Sequence, residues 1–506
     1  MRSAANTAIL LAILTLGSKL IGFVREMFMA YYYGTTYVVD AYVVSNSIPN
    51  MIFGGVLSAI ATSFIPIYSK KKENSGALEA DLFTSQTINL LLIVSIISSI
   101  IGIIFSDQIV WLFANGFQGE TSALASFYVK VSFSYTLFTA TAGILESYLK
   151  YRNIFLSPAV AGYSVSILSI IFVIISHRTS AYYLVFGMLA GNAIRFFIDL
   201  IIAKKSEYKH RWDFTISNTA KEIFSLAFPV FIGSMATQIN IFVNRALATR
   251  LPEGSASAIS YSDLIIGLIS GVTAIIISTI LYPKMAQAYA KGDKSNFSRI
   301  YNSGISLILI IAIPISLGGM LYGEDIVQII YERGVFDQNA TQLTTSAFLY
   351  YAAGLVFVSL YGFLIQTFYS MHDTKRPRTY ASIGILINII ANLILVNFLA
   401  HSGLALGASI AAFINVILLV RGLHKKNYIF FKSDMPRKIV KLLISACISI
   451  GISYTAYYSI NAYILLPRMV TMLLIIVLAA TVYLILLRLF KIEELIYIKD
   501  IFKITK

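Results

Sequence analysis

Apolar residues run in blocks of about 20 or more from end to end of the chain, each long enough to cross the hydrocarbon core of a bilayer. Short polar clusters separate them. The pattern predicts fourteen transmembrane helices, at about 5–33, 37–67, 84–105, 122–149, 155–176, 181–203, 222–250, 255–283, 300–322, 342–371, 379–399, 403–423, 439–460 and 467–488. Membrane β-strands would instead alternate apolar and polar residues in segments of about ten. The first block continues past residue 30 without a small-x-small cleavage site, so it is expected to be a span and not a removed signal.

The polar clusters alternate in charge. Even-numbered connections carry YSKKK (68–72), LKYRN (149–153), AKKSEYKHR (203–211), KMAQAYAKGDK (284–294), HDTKRPR (372–378) and RGLHKK (421–426). Odd-numbered ones, such as SHRTS (176–180) and AHSG (400–403), are poor in Lys and Arg. Roughly 30 of the 39 basic residues fall on one side, which predicts a multi-pass protein of the plasma membrane with both termini in the cytoplasm. An internal repeat overlies this pattern. DQIVWLFANGF (107–117) is similar to DIVQIIYERGVF (325–336), and each follows a span of the same ordinal place, the third and the ninth. SFIPIYSK (63–70) likewise matches TILYPKMA (279–286). The expected fold is therefore all-α: two six-helix lobes at 1–210 and 217–426, related by a pseudo-two-fold axis along the membrane normal, a helix pair at 435–490, and a cytoplasmic tail at 491–506.

Composition agrees with a membrane protein. The chain has 506 residues, of which 58% are hydrophobic and only 12% charged, and its mean hydropathy is +0.78. The net charge of +15 lies in loops facing an anionic leaflet, which argues against a nucleic-acid partner. The single cysteine, Cys447, excludes an internal disulfide. The sequence contains no G-x-x-x-x-G-K-[ST], H-E-x-x-H or G-x-S-x-G, so neither an enzyme nor a built-in ATPase is expected, and no cofactor or metal.

Charges inside the spans are the candidate chemistry, because each costs at least about 2.5 kcal/mol at the bilayer centre. The first span contains Lys19, Arg25 and Glu26, and Asp40 opens the second. Lys19 and Arg25 are six residues apart, and Gly17 and Gly22 are expected to bend the helix so that both reach one cavity. Two cations with few anions nearby suit a phosphate or pyrophosphate. The alternative is that Arg25 pairs with Asp40. Glu26 is expected to pair with another helix and Asp40 to act as a gating partner of a cation. Arg245 on span seven is a third candidate cation, with Asp263 on span eight as a possible partner. Further charges are Lys130, Glu146, Arg195 and Asp199, and the spacing of Arg195 and Asp199 predicts a pair between them. Asn50 is expected in the cavity wall, and Asn244, Asn388 and Asn392 form a candidate cation site. Pro49, Pro229 and Pro314 allow bending of spans, while Gly187 and Gly191 allow close helix contact.

Several segments resemble the MurJ/MviN family of lipid II flippases, within the superfamily of MATE exporters and O-antigen-type flippases. They are GSKLIGFVREMFMAYYYG with VVDAY and IPN (17–50), PEGSASAISYSDLI (252–265), IVQIIYERGVFDQNAT (326–341), FYSMHDTKRP (368–377) and HSGLALGASIAAFIN (401–415). The resemblance implies translocation of an undecaprenyl-pyrophosphate-linked disaccharide-peptide from the inner to the outer leaflet by alternating access. It assigns cavity cations to Lys19 and Arg25, an acid to Asp40 and a cavity-facing serine to Ser257. Leu264 stands where the family usually has Arg, and Arg245 is the candidate replacement. Another lipid-linked oligosaccharide, from an exopolysaccharide, O-antigen or teichoic-type pathway, is the alternative cargo. Partners implied are the lipid carrier, membrane lipids and cell-wall synthesis proteins, with a monomeric chain. The expected drive is the membrane potential or a gradient of H+ or Na+.

Overall fold

The computed structural model describes residues 2–215, 225, 228, 235, 237–426, 434–463 and 466–492. Pro229 and most of the expected tail lie outside them. The described residues are helical almost throughout: α1 (Arg2–Tyr33), α2 (Tyr37–Ser75), α3 (Ala77–Ile104), α4 (Ser106–Phe113), α5 (Gly119–Tyr151), α6 (Leu156–Ala161), α7 (Tyr163–Arg178), α8 (Phe186–Lys205), α9 (237–249), α10 (Ser255–Ile276), α11 (Tyr282–Ala290), α12 (Lys294–Leu321), α13 (Gly323–Tyr331), α14 (Gln338–Ser370), α15 (Lys375–His424), α16 (Met435–Tyr463) and α17 (Arg468–Leu489). A π-helical turn, Ile277–Leu281, joins α10 to α11. Ten helical stretches among the described residues are long and apolar enough to cross a membrane. The repeated motifs near residues 107 and 325 form the short helices α4 and α13. Proline does not end its helices, because α2 runs through Pro49 and α12 through Pro314. The expected break between spans eleven and twelve is a single residue, Ala400, whose φ of 48° interrupts α15.

The chain divides into two compact units, residues 1–260 with 331–340, and residues 261–330 with 341–506. In the first unit α5 packs against α2, α3 and α8. Aromatic side chains fill that core: the rings of Phe64 and Phe83 stack at 5.5 Å, and Tyr148 meets Tyr68 edge-on at 5.7 Å. Helices α7 and α8 approach through glycine. A Cβ on Gly187 would lie 2.7 Å from Ser169 Cα, and one on Gly191 would lie 2.5 Å from Val165 Cα. The segment 331–340 joins this unit through α1, where Val335 N donates to Tyr31 O at 2.9 Å. Gly334, at φ 65°, fits beneath the Tyr31 carbonyl, where a Cβ would collide with it.

The second unit is built around Phe297, Tyr301, Phe363 and Phe368, all fully buried, with Met435, Leu442 and Leu487 drawing α16 and α17 into the same core. Its HDTKRP turn is held by Asp373. That carboxylate accepts from Arg376 N at 3.2 Å, which caps α15, and pairs with Lys426 at 2.6 Å. Burial alone would raise the Asp373 carboxyl, but the Lys426 and Arg376 contacts outweigh it and hold the group below the usual carboxylate range.

Three variants test this packing. Gly334→Ala destabilises the purified protein by about 2 kcal/mol, through the positive φ and the Tyr31 collision. Gly143→Ala, which meets only open space, leaves the thermal unfolding midpoint unchanged or slightly higher. Asp373→Asn loses about 1 kcal/mol at neutral pH. A depressed carboxyl stabilises above its unfolded pKa, and that contribution fades as pH falls through the folded value. The midpoints of wild type and variant therefore converge in acid, and parallel curves would contradict the pairing.

Candidate functional site

In the first unit, α1, α5, α6, α7 and α8, with Asn50 of α2, line an open cavity of about 570 Å³. Lys19, Glu146, Lys150 and Arg195 are its charged lining residues, and Asn50, Tyr135, Thr139 and Asn192 add neutral polar groups. Glu146 bridges two of the cations: it lies 2.8 Å from Lys150 Nζ and 2.6 Å from Arg195 Nη2. Three cations face one carboxylate, so the cavity holds two positive charges in excess. Arg195 does not pair with Asp199, despite their helical spacing. The reason is that α5 brings Glu146 against α8 and its carboxylate captures the guanidinium.

The first helix is continuous from Arg2 to Tyr33 and carries Lys19 to the cavity, whereas Arg25 is not among the lining residues. Gly17 serves close packing instead, because Tyr163 of α7 lies against it and donates to Leu14 O at 2.6 Å. Arg25 is half-buried. Its Nε and Nη2 donate to Glu26 Oε1 at 3.1 and 2.5 Å, and its Nη1 lies 4.0 Å from the sulfur of Met188, a cavity-lining residue. In the geometry Glu26 turns back to its neighbour and not to another helix, and Arg25 pairs with it and not, as in the alternative, with Asp40.

Asp40 has a different set of partners. One carboxylate oxygen accepts from Gly254 N at 2.7 Å and the other from Ser257 N at 2.8 Å. These amides open α10, so Asp40 caps α10 from α2. The exchange is reciprocal, since Glu253 accepts from Tyr37 N, the first residue of α2, at 2.8 Å. Gly254 takes φ 87° to present its N–H. Ser257 is fully buried, and its hydroxyl donates to Gly254 O at 3.0 Å, so it faces this turn and lines no cavity here.

The remaining candidates lie elsewhere. Arg245 is half-buried on α9, where Asn244 Nδ2 donates to Asn240 Oδ1 at 3.1 Å. Asp263 is exposed on α10. Asn388 and Asn392 are buried on α15 and bonded to each other at 3.2 Å, and Gly407 leaves room for the Asn392 carbonyl oxygen on the returning half of the helix. Among the described residues no three His, Cys, Asp or Glu gather as a metal site. The charged cavity residue that sequence reasoning missed is Lys150, and the neutral Tyr135, Thr139 and Asn192 were missed with it. Lys150 reads as one of the basic loop residues, and only its spacing of four from Glu146 hinted at the pair.

Residues 29–487 match the model of a protein family described as "Lipid II flippase MurJ". The chain belongs to this family. Among MurJ relatives, the probable lipid II flippase of Buchnera aphidicola subsp. Schizaphis graminum is 29% identical over 462 residues, with 88% of each chain covered. That of Rickettsia prowazekii is 29% identical over 469 residues, covering 90% of each. A solved MurJ structure in an inward closed conformation superposes with a TM-score of 0.82 at 26% identity, covering 95% of this chain and 98% of that one. An inward-facing MATE family transporter of the MOP superfamily shares the fold, with a TM-score of 0.66 at 14% identity over 82% of this chain and 98% of its own. Two of the segments that carry the MurJ resemblance, VVDAY and PEGSAS, meet in the Asp40 exchange.

Asp40→Ala is expected to destabilise the protein by about 3 kcal/mol, since two hydrogen bonds to a charged acceptor are lost and two buried amides are stranded. Thermal unfolding in detergent measures this. An unchanged midpoint would show that other groups cap α10.

Proposed function

We propose that this chain is a lipid II flippase of the bacterial plasma membrane. It is a transporter and carries undecaprenyl-pyrophosphate-linked disaccharide-peptide from the inner to the outer leaflet by alternating access. The observation that carries this reading is the cationic cavity of the first unit in a chain of the MurJ family. A pyrophosphate needs positive charge and hydrogen-bond donors in a site of low dielectric, and Lys19, Lys150 and Arg195 supply both. Arg25 and Arg245 act as further cations for the headgroup, Asp40, Glu26 and Asp263 tune the movement of the helices, and Ser257 and Asn50 serve the cavity when it changes shape. The cavity's excess positive charge argues against export of cationic drugs.

The lipid tail needs a different surface. The second unit has an apolar groove of about 380 Å³, lined by Ile305, Leu309, Leu360, Met435, Ile439 and Leu443 among others. We assign the polyprenyl chain to it. In the full reading there are fourteen spans: the ten apolar stretches, α1, α5 and α9 in addition, and α15 counted twice for its break at Ala400. Lobes 1–210 and 217–426 then rock against each other, with 435–490 as an added pair and both termini cytoplasmic. The chain acts as a monomer beside the cell-wall synthesis proteins that use its product. The membrane potential or a gradient of H+ or Na+ drives it, with Asn244, Asn388 and Asn392 as the candidate cation ligands.

Complementation tests the reading. In a bacterium depleted of its own lipid II flippase, wild type is expected to restore growth. Lys19→Ala, at equal membrane level, is expected to weaken headgroup binding about tenfold, roughly 1.4 kcal/mol, and to lower plating. Failure of a well-inserted wild type would shift the cargo to another lipid-linked glycan. Full rescue by Lys19→Ala would remove Lys19 from the headgroup site.

A further inference from the structure

Asp199 lies on α8 four residues after Arg195, and its side chain is completely buried. Neither carboxylate oxygen has a hydrogen-bond partner. Arg195 is engaged elsewhere: its Nη2 donates to Glu146 Oε2 at 2.6 Å, while its Nε is buried with no acceptor. An ionised carboxylate sealed from water with no hydrogen bond is far less stable than its neutral acid. The side chain is therefore suited to hold a proton, and one turn away stands a guanidinium with a spare donor.

We propose that Asp199 is a proton-binding site, occupied while Arg195 is engaged with Glu146, and that loss of the proton draws Arg195 to Asp199 and away from the cavity. Residues four apart share a helix face, so a rotamer change is enough to exchange the partners. The proton leaves to water in the cavity. The new carboxylate gains the buried Nε–H of Arg195, and Glu146 keeps Lys150, already 2.8 Å away. The charged groups that act on Asp199 are Arg195 on its own helix and Glu146 on α5. Of the other segments packed against α8, α6 has no ionisable residue, α7 carries Tyr163 at its start and His177 and Arg178 in its last turn, and 181–185 carries Tyr182 and Tyr183.

The consequence is a linkage between proton and cargo. With Asp199 protonated, the cavity holds two positive charges in excess. With Asp199 ionised and Arg195 withdrawn, it holds one. An anionic headgroup thus favours the protonated state, and by reciprocity the proton favours headgroup binding. This step rests on the cavity being the headgroup site proposed above.

Two measurements on the purified full-length protein test the proposal. First, the infrared difference between wild type and Asp199→Asn at neutral pH is expected to show the C=O stretch of one protonated carboxylic acid, lost in the variant. No such difference would overturn the proposal. Second, binding of undecaprenyl pyrophosphate is followed from mildly acidic to alkaline pH. Wild-type affinity is expected to fall about tenfold more than that of Asp199→Asn, whose neutral side chain leaves Arg195 in the cavity throughout. Ionisation of the probe itself is common to both proteins and cancels. Equal pH slopes would overturn the proposal. If Asp199→Asn does not fold, Arg195→Gln replaces it in the binding arm and is expected to flatten the same slope. If neither protein binds the probe, the headgroup assignment fails, and with it the linkage, while the infrared band still decides whether Asp199 holds a proton.

Discussion

Hydrocarbon accepts no hydrogen bonds and solvates no charge, so the backbone polar groups of a span must find their partners inside the protein. The arrangement of this chain follows from that constraint. The N-termini of α2 and α10 each present amides that no intrahelical carbonyl can satisfy, and each is closed by a carboxylate from the segment opening the other: Glu253 for Tyr37, Asp40 for Gly254 and Ser257. The positive ends of two helix dipoles would otherwise face each other. Two acids between them turn that repulsion into an attraction.

The same constraint explains where the glycines stand. Close approach lets a buried polar group reach a partner without water, and close approach needs missing side chains. Gly191 admits α7 so closely that Ser164 Oγ donates to the Gly191 carbonyl at 2.9 Å. Gly407 makes room for Asn392 in the same way, and Gly334 for the Tyr31 carbonyl. The turn sequences PEGSAS and ERGVF are thus structural punctuation as much as signatures, since each contains a glycine at positive φ that touches another segment's backbone or acid.

Beside these satisfied pairs, the cavity of the first unit stands out by its imbalance. Glu146 neutralises only part of the charge brought by Lys19, Lys150 and Arg195. Excess cation in a low-dielectric wall is an unfavourable arrangement for the empty protein and a favourable one for an anion. The apolar groove of the second unit has the opposite character, with almost no polar lining. A lipid with a pyrophosphate head and a polyprenyl tail needs both kinds of surface, and the chain has both.

How much of this was legible beforehand depends on the range of each interaction. Blocks of about 20 apolar residues, the alternation of basic loops and the repeated motifs near residues 107 and 325 are local patterns, and they determined the helical class, the sidedness expected of the loops and the family resemblance. They also marked Lys19 and Arg25 as unusual. Partners were another matter. Spacing along one helix predicted Arg195 with Asp199, yet Glu146, 49 residues earlier, holds the guanidinium. Asp40 was expected to meet a cation and instead closes a helix end 214 residues away. Periodicity states which residues share a face of one helix, but which face meets which neighbour is decided only when helices pack. Charge pairing in a membrane is a contest among all acceptors within reach, and tertiary structure alone settles who is within reach.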